Sequence, residues 1–133
     1  MGIEGLTTLK SEHSPAQTVE RLEAAAQAKG LTLFARIDHA AGAAAAGLAL
    51  RPTVLVIFGN ARGGTPLMQA RQSAGIDLPL KALVWQDEAG VTWLSYNEPA
   101  WLAARHGVGE KDEATVRALT AALAALARTA TLL

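Results

Sequence analysis

The sequence predicts an α+β domain of two layers, a mainly antiparallel sheet carrying two long helices. Three observations lead there. Apolar residues recur at helical spacing near the start of the chain (Val19, Leu22, Ala26) and near its end (Val116, Leu119, Leu123, Leu126). Between them lie four short stretches of strand character, two of them separated only by Asp87-Glu-Ala-Gly90, too short for a crossover helix. The pattern also fails to repeat as strand, helix, strand, helix, which disfavours a doubly wound sheet. With 133 residues, positions 1–133 are expected to form one such domain.

Each element has a local reason. Gly5 to Glu12 alternates and reads as a first strand, ended by His13-Ser14-Pro15. Ser14 suits an N-cap, Pro15 the first helical position and Gln17 the far side of a capping box, so an amphipathic helix follows and Gly30 closes it. Leu31 to His39 returns to a period of two, with Leu33, Ala35, Ile37 and His39 on one face. The alanine-rich run from Ala40 predicts a short helix ending at Gly47. Val54 to Phe58 contains no polar residue, which predicts a central strand covered on both faces. Thr65 as cap and Pro66 at the first position predict a helix to about Ser73. Asp77-Leu-Pro79 is a turn. Leu80 to Gln86 and Val91 to Tyr96 form a hairpin holding Trp85 and Trp93. Trp101 to His106 is a short helical piece, and the last helix starts near Lys111-Asp112, with Arg128 placed to complement its dipole.

Composition narrows the function. Twelve basic residues balance twelve acidic ones without a basic stripe, so a nucleic-acid partner is not expected. The absence of cysteine removes thiol catalysis and thiolate metal sites. No run of 18 apolar residues occurs, the first residues lack the pattern of a signal peptide, and Leu6 departs from a myristoylation motif. These features predict a soluble cytoplasmic protein with no membrane partner. No cofactor and no metal are expected.

The runs Phe34-Ala-Arg-Ile-Asp-His39, Leu50-Arg-Pro-Thr53, Ile57-Phe-Gly-Asn60, Gly64-Thr-Pro-Leu-Met68 and Asp77-Leu-Pro-Leu-Lys81 resemble the bacterial and archaeal family called domain of unknown function 302. The resemblance runs from about Ser11 to His106. It implies a β-α-β(4)-α fold similar to the TATA-box-binding-protein class and no established activity. Family members commonly carry Asn-Pro-Lys where this chain has Asn60-Ala61-Arg62, which keeps the charge but loses the stiffening of proline. Sharing a fold with a DNA-bending protein does not transfer its function.

Seven residues are candidates for binding a ligand: Asp38, His39, Asn60, Arg62, Thr65, Asp77 and Lys81. Gly59-x4-Gly64-Thr65 after a buried strand starts like a phosphate-binding loop, but Thr65 and Pro66 stand where Lys and Ser/Thr are needed. A weaker anion site made by Gly63, Gly64, Thr65 and Arg62 is the alternative to a plain turn and helix cap. His39 beside Asp38 suits proton transfer, against the simpler reading of a satisfied core histidine. A Ser-His-Asp hydrolase is disfavoured by the absence of a Gly-x-Ser-x-Gly elbow. Asp77 and Lys81 read as a turn cap and a strand lysine unless the pocket recruits them. The expectation is a non-catalytic domain that binds or senses a small anionic molecule as a homodimer. The alternatives are an enzyme using His39 or Asp38 and a structural homodimer joined through the tryptophan-bearing hairpin. The binding reading requires His39 and Thr65 to meet at one hollow.

Overall fold

Local signals set the first helix. Ser14 Oγ accepts a bond from the Gln17 amide, the Gln17 side chain accepts one from the Ser14 amide, and Pro15 fills the first helical position. Helix α1 (Pro15–Ala28) then buries Thr18, Val19, Leu22 and Ala26, and Gly30 leaves it at φ +75°. The computed structural model describes residues 2–133.

Five strands make one sheet: β1 (Leu6–Lys10), β2 (Thr32–Asp38), β3 (Thr53–Gly59), β4 (Leu80–Gln86) and β5 (Thr92–Asn97). Their order is β1-β5-β4-β3-β2 and every neighbouring pair is antiparallel. The fold is therefore α+β, in the expected β-α-β(4)-α order, with α1 and the last helix α5 (Glu113–Thr131) as its long helices. Both pack on one face of the sheet. Val19, Leu22 and Ala26 of α1 meet Val56, Phe58, Ala82, Val84 and Leu94 of the sheet and Leu123, Leu126 and Ala130 of α5. Complete burial of Phe58, Val56 and Val84 contributes about 1.5–3 kcal/mol per side chain.

Three expectations fail here for physical reasons. Strand β2 ends at Asp38, whose Oδ1 accepts the Ala41 amide at 2.9 Å and caps helix α2 (His39–Ala45). His39 is thus the first residue of a helix and exposed, not a core histidine. A bulge between Leu33 and Ala35 also splits the expected face of β2. Leu33 pairs with Phe58 on the packed side, while Ala35 and Ile37 pair with Ile57 and Leu55 on the other.

The second failure concerns helix α3 (Ala61–Ala70). It starts after Asn60, not Thr65, because Asn60 Oδ1 accepts the Gly63 amide at 2.8 Å and serves as the cap. Pro66 consequently lies inside the helix and removes one intrahelical bond. Third, the continuous apolar run of β3 is not covered on both faces. Val56 and Phe58 enter the core, but Leu55 and Ile57 belong to neither buried cluster. Helix α4 (Pro99–His106) completes the chain's order, ending at Gly107 with φ +72°.

Candidate functional site

Three features bring chemistry-bearing residues together, and they lie in different places. The first is a cavity of about 490 Å³ where the end of β3 meets α3, α5 and the Leu78–Leu80 segment. Gly63 lets α3 come close to α5, since a Cβ there would stand 3.1 Å from the Leu119 side chain, whereas Gly64 makes only ordinary contact with Leu78. The walls are apolar, chiefly Phe34, Phe58, Met68, Leu119 and Leu123, with Asn60 and Thr65 as the polar side chains. No charged side chain lines it, so it offers nothing to neutralise an anion. The amides of Gly63 and Gly64 are both engaged with the Asn60 carbonyl, which removes them from the anion-binding role suggested by the glycine spacing.

The second feature is centred on Asp77. Both its carboxylate oxygens accept from Arg105 Nη1 at 2.9 Å, and Oδ2 lies 2.5 Å from His106 Nε2. On the other side of the ring, Ser73 Oγ lies 2.9 Å from His106 Nδ1. This Ser-His-Asp chain is not in the cavity. Its effect is to pin the end of α4 to the turn of 3-10 helix at Gln72–Ile76. The sequence concealed it, because Asp77 stands 28 and 29 residues from its partners. The only signal was a pair of basic residues at the end of α4.

The third feature is the sheet face opposite α1 and α5. Leu6, Leu55, Ile57, Leu83, Trp85 and Trp93 occupy it, and none belongs to a buried cluster. Trp85 and Trp93 stack with ring centroids 6.2 Å apart. Their indoles donate to Ser95 Oγ and Asp87 Oδ2. Lys81 stands on this face and donates to the Asp77 carbonyl at 3.1 Å. Burial beside the apolar side chains pushes its pKa below the usual lysine value.

The seven candidate residues do not form one hollow. In register, Asp38 faces Val54, six residues along the chain from Asn60, so Asp38 lies about 20 Å along the sheet from Asn60, and neither Asp38 nor His39 lines the cavity that holds Asn60 and Thr65. Asn60 and Thr65 line the cavity, and Arg62 is exposed on α3 outside the lining. Asp77 holds its ion cluster, and Lys81 donates to the Asp77 carbonyl and feels the carboxylate through space. Among the described residues, no group of three His, Asp or Glu is placed to hold a metal ion. No helix among them is long and apolar enough to cross a membrane.

The class defined by this geometry is a two-layer α+β domain with one helix-covered and one uncovered sheet face. The chain belongs to the family described as domain of unknown function DUF302, which it matches over residues 7–126. A crystal structure of an uncharacterised conserved DUF302 protein from Bacillus stearothermophilus shares the fold, with a TM-score of 0.85 at 19% identity over 96% of this chain and 99% of that one. Proteins from Brucella suis and Brucella abortus named "Fluoride-specific ion channel FluC 1" are 50% identical over 115 residues, 86% of this chain. The chain spans only 45% and 43% of the lengths of these relatives.

Those names correct two expectations. Relatives named for an ion channel contradict the reading of a soluble small-molecule or anion sensor acting as a homodimer, together with its enzymatic and structural-dimer alternatives. They equally contradict a set of partners that excluded the membrane.

Proposed function

We propose that this chain is a companion domain of a fluoride-specific ion channel, working beside the pore at the membrane rather than forming it. The observation that carries the reading is the partial match: 50% identity over 115 residues to channel-named proteins of which this chain spans less than half. No described helix is long and apolar enough to cross a bilayer. The sheet is open, with β1 and β2 as unpaired edges and both long helices committed to one face, so it does not close into a barrel. The conducting part of those relatives is thereby assigned to the portion this chain does not match. This reading treats residues 1–133 as one domain and keeps the cytoplasmic side expected from the sequence.

Affinity capture on the detergent-solubilised unmatched portion of a Brucella relative tests the reading. The chain is expected to bind and to comigrate with it in size-exclusion chromatography. Separate elution of the two at the highest attainable concentration sinks the proposal.

A further inference from the structure

The uncovered sheet face has a chemistry of its own. Its strand positions carry leucine, isoleucine and tryptophan with two lysines, Lys10 on β1 and Lys81 on β4, and no carboxylate. Two acids border it, and both are engaged: Asp87, at the hairpin rim, is bonded to the Trp93 indole and to the amides of Ala89 and Val91, and Asp77, whose carbonyl accepts from Lys81, holds its carboxylate on Arg105 and His106. A shallow depression of about 320 Å³ opens on the face between Leu6, Leu55, Leu83 and Trp85, with Lys81 on its wall. Apolar side chains at the centre of a sheet face are ordinarily covered by another layer. Here, among the described residues, the two long helices both pack on the opposite side.

Charge decides what covers it. A second copy laid face to face would bring four lysines together with no carboxylate opposite them on the strands, an arrangement that opposes self-pairing. Anionic lipid headgroups supply the missing negative charge. Tryptophan favours the headgroup level, where its ring is half apolar and its N–H stays hydrogen-bonded. We propose that this face lies on the headgroup layer of a bilayer containing anionic lipid, with Trp85 and Trp93 seated at the interface and Lys10 and Lys81 meeting lipid phosphates. The inference rests on the companion-domain reading and names the surface that reading uses.

Co-sedimentation with sucrose-loaded vesicles, read together with tryptophan emission, provides the test. The full chain is expected to pellet with phosphatidylglycerol/phosphatidylethanolamine vesicles and to shift its emission to the blue. Binding to phosphatidylcholine vesicles should be weaker on the order of tenfold. The Lys10→Gln/Lys81→Gln double variant should lose that preference, and Leu83→Asp, checked for native circular dichroism, should lose binding altogether. Should Leu83→Asp fail to fold, the lysine pair still decides the matter. Absence of pelleting, or pelleting that ignores the lysines, overturns the proposal. So does sedimentation equilibrium showing the wild-type chain paired through this face, with Leu83→Asp releasing a monomer. Capture by the channel portion without vesicle binding removes this surface assignment and leaves the companion reading intact. Lysine-dependent vesicle binding without capture does the reverse.

Discussion

At the scale of single residues, the hub of the molecule is Asp77. It accepts from Arg105 and His106, but the two partners differ in their exposure to solvent. Arg105 is 51% exposed in its side chain and His106 only 7%, so water screens the first pair far more than the second. Double-mutant cycles are therefore expected to give a coupling below about 1 kcal/mol for Asp77 with Arg105 and a larger one with His106. Equal couplings would remove this ranking. Asp87 supplies a pH prediction. The Trp93 indole first, then the Val91 amide, hold its carboxyl below the usual carboxylate range. A carboxylate bound in the folded state contributes stability above its unfolded pKa and loses it as pH falls through the folded value. Urea midpoints of the wild type should thus drop more steeply than those of Asp87→Asn as pH is lowered from the usual carboxylate range. Parallel curves would show that these bonds contribute nothing to folding.

At the scale of elements, what could be read in advance was whatever a few neighbouring residues decide. Ser14, Pro15 and Gln17 fixed the start of α1, and Asp87 to Gly90 fixed the hairpin. The start of α3 was misplaced because Asn60 and Thr65 are both competent caps, and the choice depends on α3 reaching Leu119 and Leu78, which are distant in sequence. Asn60→Ala is accordingly expected to cost about 1 kcal/mol of stability in chemical denaturation. Thr65→Ala, which removes no cap, should change it by much less. The bulge at Phe34 was equally hidden, since nothing in Leu31 to His39 interrupts the alternation. A tighter constraint joins the first strand to α4. Gly5 holds φ +75°, and a Cβ there would stand 2.2 Å from the Trp101 ring. Gly5→Ala should destabilise by more than about 2 kcal/mol, combining left-handed strain with overpacking. A melting temperature unchanged by this substitution would mean that α4 does not dock where the structure places it.

At the scale of the whole molecule, the layer architecture was legible because α1 and α5 each display one apolar stripe and the strands between them are short. The candidate site was not. Its residues were joined by their nearness to β3 in sequence, whereas an antiparallel register sends Asp38 and Asn60 to opposite ends of the sheet. The run Val54 to Phe58 likewise announced two apolar faces without saying that helices cover only one. That uncovered face, together with relatives of which the chain spans less than half, supports the proposal that this domain works at a membrane beside a channel. Fluoride efflux from proteoliposomes, followed with a fluoride electrode, tests this most directly. The vesicles would hold a Brucella relative shortened by its matched portion, with this chain added from outside. The chain should be retained on channel-bearing vesicles and should change the initial efflux rate by a factor on the order of two or more. An unchanged rate with the chain left in the supernatant would contradict it.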